Sequence, residues 1–312
     1  MKAIRMHDFG GPEVLSYDDV TMPEPGEGQV LVKVYAAGIN PADWKTRQSG
    51  YFVKQSGAQM PAIPGWDMSG VIETVGSGDA SFAPGQAVYG MVGFPNMGST
   101  YAEYLTASVN HIALKPEKID HLHAAGVPLA GLTAWQALIK FADLQPGQRV
   151  LVLGASGGVG HLAVQIAKRK GSYVIGTASP HNSDFLRDLG VDQVIDYNTI
   201  NVEDALSDLD VVFNTVSPTA AKNSLKTLRR GGMLVSCAGL PTDEEAAPYG
   251  IRTHGFLVRP DAAQLTELAR LIDEGKIKPY VDSVFPLAEA AQAQTLGEGG
   301  HTRGKIVLKV RN

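Results

Sequence analysis

Cysteine is almost missing from this sequence: Cys237 is the only one among 312 residues. A disulfide within the chain is thereby excluded, and so is a zinc lobe held by four cysteines. Long apolar runs are missing too. The most apolar stretch, residues 124–139, is interrupted by Pro128, Thr133 and Gln136. It is too short and too broken to span a bilayer. The opening residues MKAIRMHDFGGPEVL lack the apolar core of a signal peptide. Positive charge is also scarce. The formal net charge is −5, and basic residues gather only in short clusters such as Lys168–Lys170 and Arg229–Arg230. Nucleic acid and anionic membranes call for a basic stripe, so neither is expected as a partner. What is there suits a cytoplasmic globular protein. Hydrophobic residues make up 44% and charged residues 19%, over a length that holds one large or two ordinary domains.

Residues 1–115 carry short strand-like runs at 29–39, 68–76, 86–93 and 100–108, separated by Gly and Pro clusters. That spacing predicts a β-rich barrel or sandwich. Residues 121–141 change to a helical texture. From 149 onward, apolar runs at 149–153, 173–178, 192–196, 209–213, 232–237 and 255–258 alternate with helical patterns, clearest at 160–170, 183–189 and 219–229. Such alternation predicts a parallel sheet covered on both faces. Residues 262–276 read as another amphipathic helix. The tail at 305–311 reads as a strand that returns to the first domain. Cys237, inside the apolar run GGMLVSCAG, is expected as a small buried side chain at a strand end.

The stretch VLVLGASGGVGHLAVQIAKRKG, residues 150–171, is a strand, a glycine turn and a helix in direct succession. This layout suits a dinucleotide. Backbone amides and the dipole at a helix start stabilise a pyrophosphate. Gly157 and Gly158 allow the backbone to approach the phosphates, and Gly160 allows the helix to pack closely on the strand. An NAD site usually carries an acidic residue at the end of the second strand, ~20 residues on, for the ribose 2′-hydroxyl. Here that strand ends in Thr177, Ala178, Ser179, Pro180, His181 and Asn182, with no carboxylate before Asp184. Small donors without negative charge favour NADPH over NADH. No Arg or Lys stands at this turn, so Arg303 or Lys305 is the candidate for balancing the 2′-phosphate.

The markers AAGINPADW (36–44), IPGWDMSGVIETVG (63–76), YAEY (101–104), GLTAWQAL (131–138), GASGGVG (154–160), VIDY (194–197), GKIKPYVDSVFPLAEAAQA (275–293) and GKIVL (304–308) occur in an order that spans nearly the whole chain. In these the chain resembles the medium-chain dehydrogenase/reductase superfamily, and within it the zinc-independent quinone oxidoreductase, or zeta-crystallin-like, branch. The resemblance implies an α/β fold: a GroES-like β-barrel catalytic domain (1–120 and 263–312) with an inserted Rossmann doubly wound parallel-sheet domain (121–262). It further implies a cleft between the domains, an NADP(H) site and a homodimer paired edge to edge through the Rossmann sheets. Zinc alcohol dehydrogenases place a ligating Cys where this chain has Asn40, and a G-H-E motif where it has Gly65-Trp66-Asp67. Catalytic zinc needs three protein ligands. Asn40, Trp66 and a distant Cys237 do not supply them, and the eight histidines show no paired helical spacing. No metal is expected.

Without a Lewis acid, a conjugated acceptor is the easier substrate, because it spreads the incoming charge. The resemblance therefore implies NADPH-dependent hydride transfer to a quinone or an α,β-unsaturated carbonyl. An NADPH-binding sensor or structural, crystallin-like protein with little turnover is the alternative, as is an enoyl-thioester reductase. Asn40 is the first catalytic candidate, donating to the cofactor ribose or the developing oxyanion. Tyr51 is the second, as proton or hydrogen-bond donor, although Phe52 is the residue that a one-place shift would align. By resemblance Thr133 lies near the nicotinamide, and Ser156, Gly157, Gly158, Val159 and Gly160 hold the pyrophosphate. Thr177, Ser179, His181, Asn182 and Tyr197 surround the adenosine, and Thr215 and Val216 wall the cleft. Cys237, Ala238, Gly239 and Leu240, with Phe256, Leu257 and Val258, meet the nicotinamide ribose and carboxamide. The loop at 92–100 is a candidate for closing over substrate.

Overall fold

The computed structural model describes residues 1–78 and 81–311. The chain divides into two compact units, Met1–Leu132 with the segment from Arg259 onward, and Thr133–Val258. The expected boundaries, after 120 and after 262, are displaced. The physical reason at the first one is that the helix at 121–125 lies on strands of the first unit.

In the first unit, β1 (Lys2–Met6) and β2 (Leu15–Asp19) form an antiparallel hairpin. The central strand is β3 (Gln29–Gly38), which pairs with β4 (Asp67–Val75), and β4 with β5 (Ala87–Met91). On its other edge the first half of β3 takes up β6 (Tyr104–Ser108), and β7 (Ile112–Leu114) closes on β5. Side chains alternate across a strand, so Val30, Val32 and Val34 share one face of β3. They pack with Met68, Ile72, Val88, Leu105 and Ile112 in one buried cluster. Each such side chain contributes roughly 1.5–3 kcal/mol when fully buried. Helices α1 (Pro41–Ser49) and α2 (Tyr51–Ser56) follow β3, and α3 (His121–Ala125) and α4 (Pro128–Trp135) follow β7. The helical texture at 121–141 is thus broken once, at 126–127 just before Pro128 starts α4, and ends in a π-helical stretch, Gln136–Phe141.

The second unit alternates as expected. It runs β8 (Arg149–Leu153), α5 (Gly160–Arg169), β9 (Tyr173–Ala178), α6 (Ser183–Asp188), β10 (Gln193–Asp196), α7 (Val202–Ala205) and β11 (Leu209–Asn214). It continues with α8 (Pro218–Asn223), β12 (Leu228–Ser236), α9 (Asp243–Ala246) and β13 (Arg252–Gly255). The strands are parallel in the order β10-β9-β8-β11-β12-β13. The winding direction reverses between β8 and β11, which is where such sheets bind ligands. The helical pattern at 219–229 overshoots. Its last part is a 3-10 turn and the start of β12, where Gly231 takes φ 76°.

The chain then returns to the first unit with α10 (Ala262–Asp273), β14 (Val281–Pro286), α11 (Ala290–Glu298) and β15 (Lys305–Lys309). Strand β15 is parallel to β14 and antiparallel to β3, with Val307 opposite Gly38. The returning tail strand is therefore part of the first unit's sheet. The fold is α/β: a GroES-like unit formed by both ends of the chain and a doubly wound parallel-sheet unit between them.

Candidate functional site

In the second unit the glycine turn joins β8 to α5. Gly154 has φ 75°, and a Cβ there would lie 2.8 Å from Thr215 Oγ1. A Cβ on Gly160 would lie 2.1 Å from the Gly154 carbonyl oxygen, so only glycine lets α5 start this close to the strand. Thr177 fixes the turn from β9: its Oγ1 accepts from the Gly154 amide at 3.0 Å and its carbonyl from the Ala155 amide at 3.0 Å. His161, fully buried, places its Nδ1 2.9 Å from the Gly157 carbonyl. Among the described residues no backbone carbonyl takes the Gly158 or Val159 amide. These N–H groups and the α5 dipole make a cradle that fits a pyrophosphate, and added side chains at Gly154 or Gly160 would distort it.

Beside the turn, the end of β9 gathers four expected residues. Asn182 Nδ2 donates to Ser156 Oγ at 3.2 Å and to Ser179 Oγ at 3.3 Å, and Ser179 Oγ lies 3.2 Å from His181 Nδ1. Tyr197 is exposed just after β10. Thr215 donates from Oγ1 to the Leu153 carbonyl at 2.7 Å, and Val216 is exposed next to it. Cys237 corrects an expectation. It is exposed, because β12 ends one residue earlier at Ser236 and the chain turns out of the sheet. Its amide donates to the Asn214 carbonyl at 3.2 Å. Ala238 and Leu240 are half-buried, and Gly239 takes φ 94°. Phe256 packs its ring 4.9 Å from Phe141, Leu257 is exposed and Val258 is buried. Thr133, on α4, is also buried.

The first unit holds a buried polar cluster that joins Asn40 to Asp43, Tyr101, Asp67 and Lys305. Asn40, two residues past the end of β3, is the N-cap of α1, and Asp43 at N3 accepts from the Asn40 amide at 2.6 Å through Oδ2. Tyr101 donates its hydroxyl to the same oxygen at 2.8 Å. Asp43 Oδ1 has no partner. Burial pushes the Asp43 carboxyl up to about 7, against the pull of the Asn40 amide and the Tyr101 hydroxyl. Burial, then the Asp43 charge, pushes the Tyr101 phenol well above its usual value. The Asn40 side chain also bonds residues of β4 and β15. Its Nδ2 donates to Asp67 Oδ2 at 2.9 Å, and its Oδ1 accepts from Lys305 Nζ at 2.5 Å. Asp67 Oδ1 accepts from the Leu129 amide at 2.7 Å, in the first turn of α4. Burial pushes Asp67 up and Lys305 down, and each charge opposes the other's displacement.

Lys305 is thus not a surface partner for a phosphate, as the sequence suggested: it is 4% exposed and engaged with Asn40 and Asp67. Its register opposite Asn40 on β15 draws it inward. Arg303 lies over the Tyr280 ring, 6.0 Å from its centroid. Tyr51 is 59% exposed at the start of α2, edge-on to Phe52, whereas Phe52 packs into an aromatic cluster with Trp66 and Phe94. Asn40, by contrast, is 1% exposed. The loop at 92–100 lines a cavity of about 380 Å³, with His111 and β6 on its other walls.

Residues 26–117 match the alcohol dehydrogenase GroES-like domain, and residues 189–308 match the zinc-binding dehydrogenase domain. The chain is 37% identical to the NADPH-dependent alkenal/one oxidoreductase of Arabidopsis thaliana, over 99% of this chain and 79% of that protein. It is 32% identical to the quinone oxidoreductase of Sus scrofa, over 99% of this chain and 97% of that one. The solved quinone oxidoreductase of Coxiella burnetii superposes with a TM-score of 0.93 at 40% identity, covering 100% of this chain and 99% of the other. Fold, glycine turn and these likenesses together define a nicotinamide-dependent oxidoreductase. The chain belongs to the medium-chain dehydrogenase/reductase family, among the quinone oxidoreductases and alkenal reductases.

One of the matched domains is described as zinc-binding, and the residues present here do not fit that ion. Among the described residues no group of three or more His, Cys, Asp or Glu could hold a metal. The Trp66 indole, which donates to the Asn96 carbonyl at 2.7 Å, offers no lone pair. The Lys305 ammonium, 2.5 Å from Asn40 Oδ1 and 3.5 Å from Asp67, already supplies positive charge at this point and would repel a divalent cation.

Proposed function

We propose that this protein is a zinc-independent, NADPH-dependent reductase of quinones or of α,β-unsaturated carbonyl compounds. The observation that carries the reading is the acid-free end of β9 beside the glycine cradle, where Ser156, Ser179, His181 and Asn182 form one hydrogen-bonded group. A ribose 2′-phosphate needs donors and no opposing carboxylate. This group meets both conditions. The names of the relatives agree, since one is called NADPH-dependent and acts on alkenals and enones, and others are called quinone oxidoreductases.

Bound NADPH supplies a hydride. The chain's own residues do the rest. The amides at the start of α5 bind the pyrophosphate, and the Thr177 and Thr215 hydroxyls hold the turn in the binding shape. The Asn40 amide donates to the cofactor ribose or to the oxygen on which charge develops, as a fixed donor of the kind that lowers such barriers. The Tyr51 hydroxyl, exposed and bonded to no described residue, serves the substrate oxygen as proton or hydrogen-bond donor. Product enolate or hydroquinone anion then takes its proton. The protein aligns the reactants and shields them from water.

The protein is expected to be cytoplasmic. No helix among the described residues is long and apolar enough to cross a membrane. It is expected to pair as a homodimer along the parallel sheet, whose terminal strands β10 and β13 are edges. Light scattering on the eluting protein measures that mass. Consumption of NADPH and of NADH, followed at 1 mM or less with 1,4-quinones, alkenals and enones, tests the activity. Steady turnover with a preference for NADPH supports the reading. Tight binding without turnover supports a sensor or structural role, and a preference for NADH above about tenfold, ~1.4 kcal/mol, overturns the cofactor assignment.

A further inference from the structure

Of the described lysines, Lys305 alone is buried. The register explains how it comes to lie there. Val307, Leu308 and Lys309 of β15 face Gly38, Ala37 and Ala36 of β3, and the Ile39 amide donates to the Ile306 carbonyl at 3.0 Å. Continuing the ladder brings Lys305 opposite Asn40, where β3 ends and α1 begins. Its ammonium donates to Asn40 Oδ1 at 2.5 Å and reaches Asp67 Oδ2 at 3.5 Å, while Asn40 Nδ2 donates to that same Asp67 oxygen at 2.9 Å.

This triangle reads both ends of one carboxamide. The oxygen meets a cation and the nitrogen meets an anion, and both bonds are charge-assisted. Turning the amide over would set Nδ2 against the ammonium and Oδ1 against the carboxylate, two repulsive contacts in a dry site. Asp67 is itself held, through Oδ1, by the Leu129 amide in the first turn of α4. One of the two hydrogens on Asn40 Nδ2 is accounted for by Asp67. Among the described residues no other acceptor meets that nitrogen. The second hydrogen is therefore the one group that Asn40 has left to offer, and its direction is set by the other contacts.

We infer that Lys305 is a positioning residue for the reduction: acting through Asn40, its buried ammonium fixes which end of the carboxamide is presented as the donor. This rests on the role proposed above for Asn40. It differs from a structural role in which Lys305 only balances the charge of Asp67, and the two separate in a double variant. Lys305→Met alone leaves Asp67 buried without a counter-ion and can fail to fold. Lys305→Met with Asp67→Asn removes both charges together.

The test uses those two variants, Asn40→Ala, and Asn40→Ala with Lys305→Met. The readouts are kcat and KM with an enone, the NADPH Kd from its fluorescence, the melting temperature, and the Asn40 side-chain amide signal in 15N-asparagine-labelled protein without cofactor. The charge-free double variant is expected to melt close to the parent, to bind NADPH within about threefold, and to lose kcat by about tenfold or more. Its Asn40 amide signal shifts or splits. Asn40→Ala is expected to lose kcat to a similar extent, and Lys305→Met to add less than about twofold on top of it, as for residues acting in one unit. Parental kcat in the charge-free double variant, with an unmoved Asn40 signal, would overturn the inference in favour of charge balance. A further tenfold loss on the Asn40→Ala background would show that Lys305 does not act through Asn40. Parental kcat in Asn40→Ala itself would remove the role of Asn40, and the inference with it.

Discussion

Asp43→Asn changes one oxygen to nitrogen and removes the titrating group of a buried carboxyl in the first unit. The Asp43 side chain is 1% exposed, and one of its oxygens has no partner. Burial raises its pKa from the usual 3.8 to about 7. The folded state therefore holds a proton that the unfolded chain has given up across that interval. Stability from this group is complete below pH 3.8 and is lost as pH climbs to about 7, beyond which the loss is constant. About 3 pH units at ~1.4 kcal/mol each come to ~4 kcal/mol. Asparagine has no proton to lose. The melting temperature of Asp43→Asn minus that of the parent should thus rise between pH 4 and pH 7 and level off above. At ~2–4 °C per kcal/mol the rise is on the order of 10 °C. Differential scanning fluorimetry in a constant-ionic-strength buffer series measures it. A difference that stays flat from pH 4 to pH 7 would refute the reasoning, because Asp43 would then be ionised in the fold at its ordinary pKa.

Three further outcomes are expected. Gly160→Ala places a Cβ 2.1 Å from the Gly154 carbonyl, so NADPH affinity measured by fluorescence titration should drop at least tenfold and the melting temperature should fall. Unchanged affinity would mean that the turn does not hold the pyrophosphate. Ser179→Asp adds a carboxylate to the group at the end of β9; KM for NADPH should rise tenfold or more while that for NADH falls, and an unchanged ratio would place the 2′-phosphate elsewhere. Tyr51→Phe removes a hydroxyl from a 59% exposed ring; stability should stay within about 0.5 kcal/mol, while kcat should fall tenfold or more if the hydroxyl serves the substrate. An unchanged kcat would leave Tyr51 as a surface aromatic.

The second unit was legible in the sequence because its strands are short apolar runs set between turn residues. The runs at 149–153 and 173–178 coincide with β8 and β9. Local periodicity failed where a backbone feature outweighed it. The pattern at 219–229 looks helical throughout, yet Leu228 pairs with β11 and starts β12. Cys237 sits in an apolar run and was expected inside, but β12 has ended by then. The glycine turn and its polar neighbours were readable because every residue of that group is local to two βα connections. The Asn40–Asp67–Lys305 triangle was not readable, since it joins positions 27 and 265 residues apart in sequence. The single local trace of that cluster was the spacing of Asn40 and Asp43 at a helix start, which suits a reciprocal cap. Nothing in the alternation of residues 305–309 marks a lysine as buried; its depth follows from pairing β15 with the far end of β3.

The proposed reduction delivers hydride from NADPH to a conjugated carbon without a metal. The most direct measurement is product analysis after turnover of an enone with NADPH dideuterated at C4, using protein dialysed against a strong chelator and assayed for zinc. The expected result is deuterium on the β-carbon of the saturated ketone, at full rate with well under about 0.1 zinc per chain. Product unlabelled at that carbon, or a rate that returns only in proportion to added zinc, would contradict it.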